Sequence, residues 1–499
     1  RLTQNGVEPD RVADGDKPRL VGDVQTQAVA LGGGGGDGGV AHGLALGGRV
    51  QIQVVDLRAA AAVDEEGVML ALQGVSRTVA FFYHFVCLII HADLPVCEQD
   101  GADLLEKILH RDNLNRAYKR VRANKGAPGI DGMTIEDALP WLKEHRDELL
   151  ENVRQGKYKP QPVRRKEIPK PDGGVRKLGI PTVIDRIIQQ AIAQQLVPIY
   201  EPLFSDDSYG YRPNRSAQQA IQKVKWYAEQ GYTSAVLVDL SKYFDTLNHE
   251  LLMNLLRKNI HDKRVIELIK RYLKAGVMEN GLLVRTTEGS PQGGPLSPLL
   301  ANIYLNEYDK EMASRGVPVV RYADDIVVLA KSPRAAQRLL ESTQRYLEGK
   351  LKLKMNVEKS KVVSVYSIRN FKFVGFALGK GKNGVYIRAH AKSLKKAKAK
   401  LKELTSRSQG RNVRKVMENV KVYIRGWLGY FGIASMKTTM QRWDEWLRRR
   451  LRVYIWKQWK VPKARIRNLM KLGIPSYYAH KWGYIKAYWN VSGSPVLTR

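Results

Sequence analysis

Asp324 and Asp325 stand side by side in the stretch Tyr322, Ala323, Asp324, Asp325, between two short apolar runs, residues 317–320 and 326–330. Apolar runs of that length with a brief polar break read as a β-hairpin, and the break puts both carboxylates at its tip. Successive side chains of a regular strand leave opposite faces, so neighbouring aspartates can crowd one point only where the chain turns. Aspartate is common in turns for purely local reasons, so the pair gains chemical meaning only with a third acid. Residues 233–240 supply one: a run of β-branched and aliphatic side chains, of the kind that fills a buried strand, carries Asp239 at its end. A lone carboxylate there would be costly to desolvate, and a hard divalent cation such as Mg2+ is one partner that would offset the cost. If Asp239 and Asp324 come from neighbouring strands, they can bridge two ions about 3.5–4 Å apart, which activates a hydroxyl and stabilises a leaving phosphate. Phosphoryl transfer is the chemistry that these residues could perform.

Several other stretches follow the same order along the chain. Residues 168–176, IPKPDGGVR, read as a strand, a turn and a basic strand. Residues 209–216 are YGYRPNRS, residues 239–246 are DLSKYFDT, and residues 355–361 and 371–376 are MNVEKSK and FKFVGF. Residues 289–305, GSPQGGPLSPLLANIYL, pack Gly293, Gly294 and three prolines around Gln292; paired glycines let a backbone approach a ligand closely, and they equally suit a loop that caps a helix.

Taken together from about residue 103 onward, these motifs resemble those of group II intron-encoded reverse transcriptases and maturases of the bacterial type. The resemblance implies an α+β right hand, with fingers and palm followed by a helical thumb or maturase domain. It carries Asp239, Asp324 and Asp325 over as the catalytic triad and the ligands of two Mg2+ ions, with Lys359 as the proton donor to pyrophosphate. It implies that Lys170 and Arg176 grip the triphosphate, that Phe244 lies against the sugar 2′ position, and that Gln292 sits beside the nascent base pair. Arg116, Lys119 and Arg120 fall in a helical extension that such enzymes place over the template. Lys395, Lys398, Arg448 and Arg449 fall on the thumb, where intron RNA is held.

The implied partners are group II intron RNA, a DNA target or primer and dNTPs, and a homodimer is compatible with the pattern. The implied cycle is RNA binding, assistance to splicing, and copying of the intron into cDNA during retrohoming, in the bacterial cytoplasm at the nucleoid. A splicing-only maturase with a fossil polymerase site, or a reverse transcriptase of retron or diversity-generating type, stays open at this point. Many relatives end in an endonuclease module marked by cysteine pairs and a His-Asn-His set; none follows Trp459, and the C-terminus looks clipped beside relatives.

Charge supports a polynucleotide partner independently of any family. The formal net charge is +34; residues 1–100 hold 7 Lys and Arg against 13 Asp and Glu, a net −6, which leaves +40 on residues 101–499. Such a surface attracts phosphate backbones with strong salt dependence. A basic membrane protein is the rival class, but the longest apolar run, residues 79–90, is short of the roughly 20 residues a spanning helix needs. Both cysteines, Cys87 and Cys97, precede the basic region, which therefore has no thiol-based zinc site.

Five regions are expected. Residues 1–100, with Gly32 to Gly36 in one run, read as a low-complexity, disordered or non-native extension. Residues 101–165 form a helical N-terminal extension, 166–380 the fingers and palm, 381–460 the thumb, and 461–499 a basic DNA-binding tail. Within the thumb, apolar residues recur at helical spacing: Leu394, Ala397, Leu401 and Leu404; Val413, Val416, Met417, Val420, Ile424 and Trp427; Trp443, Leu447, Leu451 and Tyr454. Each set buries one stripe of a helix and leaves the lysines and arginines, Arg450 among them, on a basic face. The aromatics at 427, 430, 443, 446, 454, 456 and 459 are core residues at such spacing, with base stacking as the alternative.

Overall fold

The computed structural model describes residues 103–485, apart from 170–173, 280–281, 285–287 and 291–292, together with Tyr488. The expectations for residues 1–100, Lys170 and Gln292 lie outside the described residues.

Three helices open the fold: α1 (Leu104–Leu109), α2 (Arg111–Ala123) and α3 (Ile135–Arg154). Thr134 begins α3 with a reciprocal cap, its hydroxyl and backbone NH both bonded to the Asp137 carboxylate. A first sheet, in the order β2-β1-β4-β5, joins the hairpin β1 (Val163–Pro169) and β2 (Val175–Ile180) to a second hairpin, β4 (Val277–Glu279) and β5 (Leu282–Val284). Helices α4 (Val183–Tyr200) and α5 (Ala217–Glu229) lead into the strand that matters most, β3 (Ser234–Val238).

The second sheet has the order β6-β7-β3-β8, all pairs antiparallel, with β6 (Val319–Tyr322), β7 (Asp325–Ala330) and β8 (Lys361–Ser364). Both of its faces are covered, which is why its strands read as unbroken apolar runs. Val236, Val238, Ile326 and Val328 join one core, built with α4, α6 (His249–Arg257), α7 (Lys263–Lys274), α8 (Ser297–Ser314) and α9 (Pro333–Gly349). Ala235, Val327 and Leu329 point the other way, into a second core with α5 and the hairpin β9 (Phe376–Gly381) and β10 (Gly384–Ala389). Alternation at a period of two is thus preserved even though neither face is polar.

Three long helices follow, α10 (Ala391–Leu404), α11 (Val413–Phe431) and α12 (Lys437–Gln458). Ala397 and Leu401, Val416 and Val420, and Tyr454 are buried as the spacing predicts, whereas Met417 stays 49% exposed and lies off the stripe. Residues 461–485, within the segment expected as a basic tail, form two helices, α13 (Pro462–Lys471) and α14 (Ser476–Gly483). They enclose a small core of Ile466, Leu469, Ala479 and Trp482 against Trp456 of α12, because these apolar residues recur at helical spacing within an otherwise basic segment.

Candidate active site

The hairpin tip is a two-residue turn, Ala323 and Asp324, closed by the pair Tyr322 and Asp325. Ala323 has φ 58°, a left-handed conformation that costs a non-glycine residue about 1–2 kcal/mol. The turn is therefore held by its surroundings. Gly210 of the 209–216 motif lies directly against it: a Cβ there would stand 2.8 Å from the Tyr322 carbonyl carbon and 2.9 Å from Ala323 Cα.

β3 is the antiparallel neighbour of β7, and their last paired residues are Val238 and Ile326. Asp239 follows Val238 and Asp325 precedes Ile326, so the end of this ladder brings the two aspartates to one end of the sheet, close enough for their charges to interact. The backbone of Asp239 is strapped down by the 355–361 motif. Its NH donates to Ser360 Oγ at 3.0 Å, and its carbonyl accepts from the Asn356 NH at 2.8 Å. Lys359 lies exposed on that same strap, its NH directed at Asn356.

Charge at the tip agrees with this register. Although the Asp325 residue keeps solvent access, protein crowds its carboxyl and pushes it up to about 6. The Asp324 charge adds to the rise, Lys372 opposes it, and Asp239 contributes further repulsion. Among the described residues, no three His, Cys, Asp or Glu side chains are close enough together to hold a metal ion. The backbone thus brings the three acids to one end of the sheet without closing their side chains into a ligand set. A crowded set of hard oxygen donors is nevertheless what a divalent cation favours, and its charge would reverse the repulsion that raises Asp325.

The other expected residues take varied places. Phe244 is half-buried in a short 3-10 helix, its ring 5.3 Å from Tyr243, and its carbonyl accepts from the Ser290 NH at 2.7 Å. The start of the glycine- and proline-rich loop is thereby tied beside it. Further along that loop Gly293, at φ 136°, passes so close to the Gly179 carbonyl of β2 that no side chain could fit. Arg176 is exposed on β2. The hydroxyl of Tyr211 is raised by crowding and by the charges of Asp324 and Tyr322, with Arg176 opposing, so both the acids and the basic strand lie within its electrostatic reach.

Arg116, Lys119 and Arg120 are exposed on α2, clear of its buried residues Asn113, Ala117 and Val121. On the thumb Lys395, Lys398, Arg448 and Arg449 are all exposed. Lys398 stacks its ammonium over Trp446 at 5.3 Å, and Arg448 pairs with Asp444 at 2.8 Å, so Lys395 and Arg449 form the plainer basic surface. Two cations assigned to nucleic acid are instead structural. Arg450 donates to Thr405 Oγ1 at 2.6 Å and to the Lys402 carbonyl at 3.0 Å. Arg465, 8% exposed, donates to the carbonyls of Trp459, Gly483 and Ile485. Each satisfies helix-end carbonyls that would otherwise lack partners. Tyr454 and Trp456 are buried, and Trp427, Trp443, Trp446 and Trp459 are partly buried against the same cores, as aromatics at helical spacing should be.

Two residues near the site, Lys372 and Arg321, were not singled out from the sequence, and a third, Tyr430, was read there only as a thumb aromatic. Lys372 lies within electrostatic reach of Asp325. Tyr430 of α11 donates its hydroxyl to the Val374 carbonyl at 2.8 Å, and its ring stacks on Phe376; burial, then the Tyr322 and Asp325 charges, push it up to about 12. Arg321 sits wholly buried beneath the turn. A cation inside an apolar strand must find a buried partner, and that was the available signal.

Comparison with known proteins gives a consistent result. A family model described as "Reverse transcriptase (RNA-dependent DNA polymerase)" matches residues 168–378, and one for the "Group II intron, maturase-specific domain" matches residues 394–473. Protein YkfC of Escherichia coli (strain K12) is 36% identical over 315 residues, 55% of this chain and 82% of that protein. The group II intron-encoded protein LtrA of Lactococcus lactis subsp. cremoris is 35% identical over 271 residues, 53% of this chain and 43% of that protein. Nuclear intron maturase 2 of Arabidopsis thaliana is 29% identical over 171 residues, 26% of this chain and 23% of that protein. The match thus spans most of YkfC but less than half of LtrA.

Proposed function

Since the chain belongs to the reverse transcriptases that carry a group II intron maturase domain, and so to the RNA-directed DNA polymerases that depend on divalent metal, we propose that Asp239, Asp324 and Asp325 are its catalytic carboxylates. The template is proposed to be its own intron RNA, the primer a DNA 3′ end at an insertion site, and the product the cDNA of retrohoming. The observation that carries the assignment is the β3–β7 ladder, which ends at Val238 and Ile326 and so brings Asp239 to the same end of the sheet as Asp325 and the turn that holds Asp324.

The metal is proposed to be a pair of Mg2+ ions held chiefly by Asp239 and Asp324; when bound, such a pair lowers the barrier to attack and stabilises the leaving pyrophosphate. The chain's own residues do the positioning. The strap at 356–360 fixes the Asp239 backbone, and the hairpin turn fixes Asp324 and Asp325. Lys359 is the proposed proton donor to the leaving group, and Arg176, with Lys170, the proposed triphosphate grip. Phe244, braced by Tyr243 and Ser290, would exclude a 2′-hydroxyl by steric contact. Lys395 and Arg449 on the thumb, and Arg116, Lys119 and Arg120 on α2, would track RNA phosphates, a contact that fixes register without reading sequence.

Asp324→Ala is the direct test. Primer extension on an RNA template should fall by about 10³-fold or more, while intron RNA binding and splicing assistance persist. Loss of RNA binding in parallel would mean that the acids hold the fold and do no chemistry.

A further inference from the structure

Arg321 is 1% exposed in the middle of the strand that leads into the turn, and Asp309 of α8, which faces it, is 4% exposed. Its Nε donates to the two Asp309 oxygens at 3.0 and 2.8 Å, and its Nη2 to Asp309 Oδ2 at 2.6 Å. That fork alone satisfies the charge. The remaining nitrogen, Nη1, turns toward the site, donating to Asn302 Oδ1 at 2.9 Å and to the Ala323 carbonyl at 3.1 Å. Asn302 then donates its amide to the Gly210 carbonyl at 2.7 Å. The backbone of Arg321 holds the same neighbour, its NH donating to the Asp207 carbonyl at 2.9 Å and its carbonyl accepting from the Tyr209 NH at 2.8 Å.

The Ala323 carbonyl belongs to the peptide plane that joins Ala323 to Asp324. With Ala323 at positive φ, that plane is held in a conformation that an alanine disfavours by about 1–2 kcal/mol, so it needs a tertiary partner to keep it there. Whatever grips the carbonyl therefore aims the aspartate that follows. We propose that Arg321 is a positioning residue for polymerisation: anchored on Asp309 and Asn302, its guanidinium fixes the 323–324 peptide and so sets where the hairpin tip presents its two aspartates. The assignment rests on the reading of those aspartates given above. An ammonium can neutralise Asp309 as a point charge but cannot span three acceptors from one planar fork.

Two variants test it, Arg321→Lys and the double variant Arg321→Met with Asp309→Leu, which removes a buried ion pair together and need not destabilise the fold. Thermal melting and intron RNA binding report the fold, steady-state single-nucleotide primer extension gives kcat and KM for dNTP, and hydrogen exchange reports the tip. A displacement of about 1 Å predicts a kcat lower by roughly 10- to 100-fold, with KM for dNTP changed less than about threefold. Exchange at residues 323–325 should quicken while β3 and β7 stay protected. A folded variant of either kind with kcat within about threefold of the parent overturns the proposal. So does failure of both variants to fold, since Arg321 would then support the core and not the turn. Asp324→Ala, measured alongside, separates the two ideas. If it is inactive while the Arg321 variants are normal, only the positioning role falls; if it is active, the reading of the site itself falls.

Discussion

Gly210→Ala adds one methyl group where the 209–216 loop meets the hairpin tip. The φ of Gly210 is not in the left-handed range, so the backbone itself tolerates alanine and the whole effect is contact. The new Cβ would press first on the Ala323 backbone nitrogen, and would lie 2.8 Å from the Tyr322 carbonyl carbon and 2.9 Å from Ala323 Cα. Non-bonded heavy atoms rest at about 3.5–4 Å, so loop and turn must part by about 1 Å or more. Overpacking of this kind costs about 1–3 kcal/mol of stability, which a chain this size can absorb. The larger consequence is chemical, because reacting groups displaced by about 1 Å lose on the order of 10²-fold in rate. Single-turnover extension of a DNA primer on an RNA template, at saturating dNTP, measures that step. Gly349→Ala serves as the control, since nothing lies within 4 Å of a Cβ at that glycine. A Gly210→Ala protein that melts with the parent and extends primers within about twofold of its rate would refute the coupling between loop and turn.

Phe244→Ala should raise incorporation of ribonucleotides relative to deoxyribonucleotides by about 10- to 100-fold, the discrimination that a pocket of this kind supplies by shape; competition between rNTP and dNTP at one template position measures it, and an unchanged ratio would place the ring in the core only. Exchanging Lys395 and Arg449 for glutamine should weaken RNA binding and shallow the dependence of log affinity on log salt by up to about two phosphate contacts. An unchanged slope in filter-binding titrations would take the thumb face out of the RNA path.

The palm strands were legible in the sequence because both sheet faces are buried, so β3 and β7 appear as apolar runs and the acids mark their ends. The register between them was not legible. It depends on pairing across some ninety residues, and only the folded structure pairs Val238 with Ile326 and so brings Asp239 and Asp325 to one end of the sheet. Arg321 was passed over because its partner Asp309 lies on α8, and no local pattern marks an ion pair between a helix and a strand. Arg450 in the thumb and Arg465 in the tail looked like any other cations of those segments. A lysine- and arginine-rich helix has the same composition whether a guanidinium meets phosphate or its own protein's carbonyls, and helix packing decides between them. The second hairpin of the first sheet was missed for a similar reason: β4 and β5 are three residues each, too short for alternation to show.

The strap on Asp239 has a consequence for how the enzyme comes into being. Ser360 and Asn356, which complete the backbone around Asp239, are encoded more than a hundred residues after it. A ribosome therefore releases all three aspartates before the segment that secures the first of them exists. Until residues past 360 emerge, the growing polypeptide has its acids without their frame, and closing so long a loop is an entropic cost met only once the later strand can pair. On the proposed assignment of these acids, nucleotide chemistry is withheld from unfinished chains.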